Sequence, residues 1–290
     1  MKTWIRPAFI ALLMPMLMVS FGLGLWNLIA STTLSAGIAW TGVILATGGF
    51  LAFFLRLFTR KQARTSANLP WLHAATVSGS ILAVAGTLAG VPPLPALLAL
   101  GPGLVGGLLY TFWYSRLPRA ASAITVGAAM PSFELRTVEG ATVSSHDYTD
   151  RPALWLFYRG NWCPLCMAQI DEVATRYREL AERGVEAILI SPQPDTHTRS
   201  LAERFEAPMR FLIDAGNRAA RAIGLAAPEG IPLGMQALGY DTETVLPTVV
   251  LTDAQGIVLW FDQTDNYRLR PEPDTFFAVL DRFGIVADRT

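Results

Sequence analysis

The first 133 residues contain no aspartate or glutamate; the first acid is Glu134. The first 120 residues carry eight Lys or Arg, and the remaining 170 carry 15 Arg against 23 acids. A chain of zero net charge is thus +8 in its first part and −8 in its second. Residues 7–55 hold no charged side chain at all, and neither do residues 65–115. Stretches of that length with no ionic face exclude a pair of solvated helical hairpins. One bilayer crossing takes ~20 apolar residues as helix, so each run fits two crossings and a turn. Helix is the spanning form that satisfies its own backbone in lipid. The 290 residues suit about two domains, expected as a four-helix transmembrane domain over 1–120 and a separate domain over 121–290.

The four helices are expected at Phe9–Ile29, Ala36–Leu57, Trp71–Ala89 and Leu94–Trp113. Ser31–Ser35 and Gly90-Val91-Pro92-Pro93 supply the two turns. Trp4, Trp26, Trp71, Tyr110, Trp113 and Tyr114 fall near span ends, where amphipathic rings favour the interface. Gly103 and Gly107, four apart, admit a close helix neighbour, and Gly101-Pro102 predicts a kink. The third span is the weakest, diluted by His73, Ser78, Ser80 and Thr87. Lys2 and Arg6 resemble the start of a secretory signal. The apolar stretch after them is longer than the ~7–15 residues of a signal core, however, and reads as a retained helix.

Every basic residue of this part lies on one side: Lys2 and Arg6 before the first helix, Arg56, Arg60, Lys61 and Arg64 between the second and third, Arg116 and Arg119 after the fourth. Basic loops stay cytoplasmic. The lipid bilayer is therefore an expected partner, with the chain multi-pass in a bacterial-type inner membrane and its acidic domain on the cytoplasmic side.

Past the linker Arg116–Val126 the pattern alternates between strand and helix. Leu154–Tyr158 and Val185–Ile190 read as buried strands. Pro164–Arg183 reads as a helix with apolar positions Met167, Ile170, Val173, Tyr177 and Leu180, stopped by Gly184. Helices follow at Thr198–Phe205 and Asn217–Ile223, and a short strand at Phe211–Ile213. Strands Thr248–Leu251 and Ile257–Phe261 flank the turn Asp253-Ala254-Gln255-Gly256, and Pro273–Phe283 closes as helix. The order implies a central sheet covered by helices, an α/β fold. No internal repeat or low-complexity tract is present.

Only two cysteines exist, and they are three apart in Trp162-Cys163-Pro164-Leu165-Cys166. They fall where a buried strand meets a helix. Free N–H groups and the helix dipole at that end favour thiolate over thiol. Pro164 suits the first helical position, and the spacing brings the second sulfur one turn along, within disulfide reach. A zinc site needs two more ligands, and only His73, His146 and His197 are available. A redox pair is the reading; no metal, cofactor or nucleic acid is expected.

Residues 127–284 resemble the peroxiredoxin-like branch of the thioredoxin superfamily, the alkyl hydroperoxide reductase and thiol-specific antioxidant group. The resemblance is carried by Gly127-Ala128-Ala129-Met130-Pro131-Ser132-Phe133-Glu134-Leu135 and by Phe157-Tyr158-Arg159-Gly160-Asn161-Trp162-Cys163-Pro164-Leu165-Cys166. Further stretches are Phe211-Leu212-Ile213-Asp214, Ala222-Ile223-Gly224-Leu225, and Leu246-Pro247-Thr248-Val249-Val250-Leu251-Thr252-Asp253. The resemblance implies a thioredoxin-like fold and antioxidant, thiol-based oxidoreductase activity. The peroxiredoxin pattern of a proline seven and a threonine three residues before the attacking cysteine is absent. Those places hold Arg159 and Cys163 counted from Cys166, or Leu156 and Gly160 counted from Cys163. A thioredoxin-like oxidoreductase instead wants C-x-x-C and a proline before a later strand, usually cis, and Cys163, Cys166 and Pro247 supply that set.

Cys163, nearer the helix start, is expected to be the better exposed thiol and the attacking one, with Cys166 resolving. The peroxiredoxin register reverses these roles. Trp162 is expected beside the sulfur, limiting access, and Arg159 either favours thiolate or lies in solvent. His146 and His197 read as surface residues. The function that follows is a membrane-anchored thiol–disulfide oxidoreductase or thiol-dependent peroxidase. Its partners would be a thiol reductant (thioredoxin-like or a small thiol) and a peroxide or protein disulfide substrate. A non-enzymatic membrane redox sensor is the alternative, as is a periplasmic enzyme if the topology is inverted.

Overall fold

The computed structural model describes residues 4–118 and 120–287; Lys2 and Arg119, two of the flanking basic residues, lie outside them. The chain divides into two compact units. Of the described residues, one comprises 4–60 and 65–116, and the other 61–64 together with 117–118 and 120–287.

The first unit has four helices long and apolar enough to cross a membrane: α1 (Ile5–Ile29), α2 (Leu34–Thr59), α3 (Pro70–Leu88) and α4 (Leu94–Tyr114). The third is the least apolar of them. Small residues set how closely α2 and α3 approach. A Cβ on Gly42 would lie 2.5 Å from Ala83 N and Gly79 O, and one on Gly79 would lie 2.5 Å from Ala46 N and Gly42 O. No other residue fits either place, which is the small-residue packing that membrane helices favour. Gly103 and Gly107 do admit a neighbour, Ala46 and Phe50 of α2.

The kink at Gly101-Pro102 takes the form of a π-helical segment, Ala99–Val105, inside α4. Pro102 lacks an N–H, and the wider turn redistributes the carbonyls. Ser80 Oγ donates to Ala99 O at 3.2 Å. Trp4, Trp26 and Trp71 are exposed, whereas Tyr110 and Tyr114 are buried. Tyr110 packs edge-on against Phe50 and Phe54 of α2.

The second unit is built on a seven-stranded mixed sheet. Its strands are β1 (Glu134–Thr137), β2 (Thr142–Ser144), β3 (Ala153–Phe157), β4 (Glu186–Ser191), β5 (Arg210–Ile213), β8 (Thr248–Thr252) and β9 (Val258–Gln263), with a small pair β6 (Ala226–Ala227) and β7 (Thr244–Val245) outside it. The order is β2-β1-β5-β4-β3-β8-β9. The middle strands β3, β4 and β5 run parallel, while β8 and β9 return antiparallel. Helices α5 (Pro164–Thr175), α6 (Tyr177–Glu182), α7 (Asp195–Ala202), α8 (Arg218–Ala222) and α9 (Pro273–Arg282) complete it. This is a thioredoxin-like α/β fold.

Every residue of β3 is buried, as a central parallel strand covered on both faces requires. Trp155 sits among Phe133, Tyr148 and Val250, and its Nε1 donates to Thr252 Oγ1 on the neighbouring strand at 3.0 Å. The single helix expected over Pro164–Arg183 is two helices, because Arg176 leaves helical geometry at φ −97°, ψ 8°.

Candidate active site

β3 ends at Phe157, and the chain turns through residues 158–162 into α5. Several polar groups fix that turn. Gln193 Nε2 donates to Tyr158 Oη at 3.2 Å, and its Oε1 accepts the Asn161 N–H at 2.7 Å. Thr244 Oγ1 donates to Arg159 O at 2.7 Å. Gly160 holds φ +140°, and a Cβ there would meet Trp162 Nε1 at 2.7 Å, so glycine is what lets the indole fold back. Cys163 is the N-cap of α5. Its carbonyl accepts from the Cys166 and Met167 N–H groups at 3.0 and 3.1 Å, and Pro164 stands at the first helical position.

Cys163 is 1% exposed and Cys166 is fully buried. The expectation that Cys163 is the better exposed thiol is therefore corrected.

Arg270 is the group that distinguishes the thiols. It precedes α9, is 7% exposed, and donates from Nη2 to Cys166 Sγ at 3.3 Å and toward Cys163 Sγ at 3.9 Å. Its Nη1 donates to Gln169 Oε1 at 2.7 Å, one turn beyond Cys166 on the same helix. The partner is a neutral amide rather than a carboxylate, which leaves the guanidinium charge for the sulfur. Burial pushes the Cys166 thiol up. The hydrogen bond from Cys163 and the charges of Arg270 and Arg159 outweigh it and pull Cys166 down to about 5. Cys163 goes the other way. Burial raises it, and so do its hydrogen bond to Cys166 and the negative charge there. Both effects favour charge on Cys166 over Cys163.

Arg159 is buried, so of its two expected settings the solvated one is excluded. Its guanidinium lies 4.6 Å from the ring centres of both Trp162 and Tyr267, a cation–π arrangement. Trp162 is partly buried in the turn just before Cys163. Pro247 is buried and immediately precedes β8, where Thr248 pairs with Phe157. It therefore stands at the end of the sheet from which the cysteine turn departs. No described peptide bond is cis, so the cis expectation for Pro247 is also corrected. His146 is exposed; His197 stacks on Tyr240 with ring centres 5.1 Å apart.

Sequence reasoning missed Arg270 and Gln169. Gln169 lies on the helix face that carries Cys166, a periodicity signal that was available. Arg270 is 104 residues from Cys166, and nothing local in Arg268-Leu269-Arg270-Pro271 marks it.

Residues 126–261 match the AhpC/TSA family. The chloroplastic peroxiredoxin Q of Populus jackii is 27% identical over 104 residues, which are 36% of this chain and 49% of that protein. The thiol-disulfide oxidoreductase ResA of Bacillus cereus is 23% identical over 158 residues, 54% of this chain and 78% of that one. The chain spans about half the length of the peroxiredoxin Q relatives it matches. Among solved structures, peroxidoxin BcpB from Mycobacterium tuberculosis covers 55% of this chain and 97% of its own, at 20% identity and a TM-score of 0.46. Enterococcus faecalis AhpC covers 57% and 96%, at 15% identity and a TM-score of 0.45. The resemblance to the AhpC/TSA family is thus confined to residues 126–261, the part of the chain that carries both cysteines.

Proposed function

We propose that this protein is a membrane-anchored thiol peroxidase in which Cys166 attacks and Cys163 resolves. The observation that carries the reading is the Arg270 guanidinium 3.3 Å from Cys166 Sγ. A cation held against one sulfur of a buried pair selects that sulfur as the nucleophile. Cys163 occupies the place three residues before Cys166, and its S–H supplies there the donor that a threonine hydroxyl supplies in the peroxiredoxin pattern. Burial favours a small electrophile: a hydroperoxide reaches a covered sulfur far more readily than a folded protein disulfide does.

The Cys166 sulfur attacks the terminal oxygen of the hydroperoxide. An S–O bond forms, the O–O bond breaks, and the departing alkoxide takes the Cys163 proton to leave as alcohol. Cys163 sulfur then displaces the hydroxyl of the Cys166 sulfenic acid. An S–S bond forms, and the hydroxyl leaves as water with one proton from solvent. A dithiol reductant, thioredoxin-like or small, returns two electrons by thiol–disulfide exchange.

The test is hydroperoxide consumption by the full chain in detergent with a dithiol reductant, run beside reduction of a protein disulfide. Steady-state consumption that Cys166→Ser abolishes is expected. A single stoichiometric oxidation without turnover would favour the redox-sensor reading, and faster protein-disulfide reduction would favour the thiol–disulfide oxidoreductase. The four apolar helices supply the anchor, and the basic residues on one side of them support a cytoplasmic redox domain. C-terminal reporter fusions test this. A fluorescent green fluorescent protein with inactive alkaline phosphatase is expected; active phosphatase would move the domain to the periplasm.

A further inference from the structure

The segment Lys61–Arg64, which joins α2 to α3 in sequence, clusters with the redox unit. Ala63 within it is buried, and Lys61 Nζ pairs with Asp171 Oδ2 at 2.9 Å. Arg64 does more. Its guanidinium forks onto the Glu172 carboxylate, with Nη1 donating to Oε1 at 3.1 Å and Nη2 to Oε2. Its Nε donates to Arg270 O at 3.2 Å, and Nη2 also donates to Pro271 O at 3.2 Å. The Arg64 side chain is 26% exposed and that of Glu172 30%, so these bonds are partly shielded from solvent.

The two elements bridged here are the two that carry Cys166 and Arg270. Glu172 lies on α5 with Cys166 and Gln169, and Arg270 and Pro271 form the segment that carries the guanidinium. One planar, five-donor side chain thus binds the helix by its carboxylate and the segment by two consecutive carbonyls. Lysine, a point charge with no fork, cannot reproduce that set.

We propose that Arg64 is a positioning residue that fixes Arg270 against Cys166 by tying residues 270–271 to helix α5. The proposal rests on the reading of Cys166 as a thiolate held by Arg270. The charged groups acting on that sulfur are Arg270 and Arg159, and its titratable neighbours are the Cys163 thiol and the Tyr158 phenol; Arg64 is paired with Glu172 and Lys61 with Asp171. Without the tie, the segment is free to move and the 3.3 Å contact loosens.

Through-space charge makes a different forecast, so the two separate cleanly. Removing the Glu172 charge should lower the Cys166 midpoint if only charge matters, and raise it if positioning matters. Likewise Arg64→Lys keeps the charge and loses the fork.

The experiment is the pH profile of iodoacetamide alkylation at Cys166, read by peptide mass spectrometry on the full chain in detergent. Arg64→Gln, Arg64→Lys, Glu172→Gln and Lys61→Gln are compared with wild type. Arg64→Gln and Arg64→Lys are expected to raise the midpoint by about one pH unit, a tenfold change in proton concentration. Glu172→Gln, which keeps the partner's size and so guards against a misfolded Arg64 variant, is expected to raise it as well. Lys61→Gln, at the exposed pair, should leave it unchanged. A wild-type midpoint under Arg64→Lys, or a lower one under Glu172→Gln, overturns the positioning role while leaving the Cys166 reading intact. An ordinary thiol midpoint in the wild type overturns that reading and the inference with it.

Discussion

Replacing Arg270 with methionine removes the cation beside Cys166 while keeping much of the aliphatic stem. At 3.3 Å and an effective dielectric of about 20, two unit charges attract by about 5 kcal/mol; spreading the guanidinium charge over three nitrogens reduces this to about 4. At roughly 1.4 kcal/mol per tenfold change, the Cys166 midpoint should rise by about three, from about 5 to about 8. The sign is that of a thiol whose acidity depends on a partner: the thiolate is lost as pH falls through the midpoint, so the variant loses it at higher pH. The assay must span pH. At pH 5.5 the thiolate fraction drops from about three-quarters to below one per cent. Intrinsic nucleophilicity gains about 20-fold at a Brønsted slope near 0.45, so alkylation slows by about tenfold. Near pH 7 the two effects almost cancel, and a single measurement there would see little. A profile whose midpoint moves by less than one pH unit would refute the assignment of Arg270 as the thiolate's main counter-charge.

Three further outcomes follow from the same geometry. Peroxide treatment of the wild type should give a peptide lighter by two hydrogens from a Cys163–Cys166 disulfide, and Cys163→Ser should instead accumulate a dimedone-reactive Cys166; dimedone trapping at Cys163 in the Cys166→Ser variant would reverse the roles. Gly79→Val places a branched side chain where even a Cβ lies 2.5 Å from the α2 backbone, and overpacking of that kind costs about 1–3 kcal/mol or more; a melting temperature in detergent equal to wild type would count against the close α2–α3 approach. Trp155→Phe removes the Nε1–Thr252 bond and leaves a buried hydroxyl short of its donor, for a loss of about 1–3 kcal/mol in denaturant unfolding of the full chain, with no change in the Cys166 alkylation midpoint.

The apolar helices were legible because their signal is an absence. Two runs of some 50 residues with no charge leave few alternatives, and the helix ends coincide with the expected ones at Ile29 and Leu94 and differ elsewhere by one to four residues. The strand–turn–helix setting of the cysteines was legible for a related reason. Apolar runs, Pro164 and Gly184 are local features, and local features fix local structure. Strands β1 and β2 were not drawn out as strands, being short and partly exposed; β1 depends on pairing with the distant β5, and β2 on pairing with β1.

Sequence alone put Cys163 and Cys166 side by side, since the chain has no other cysteine and three-residue spacing at a helix start brings them close. It also placed Pro247 ahead of a late strand. What it could not indicate was which sulfur the fold favours as the charged one. That depends on a cation 104 residues away and on its neutral partner Gln169. Exposure was decided only by the tertiary structure too: both thiols are buried and Arg270 approaches both, so the cysteine nearer the helix start has no advantage in access. Spacing is a property of the chain, whereas burial and charge belong to whatever the rest of the fold brings alongside.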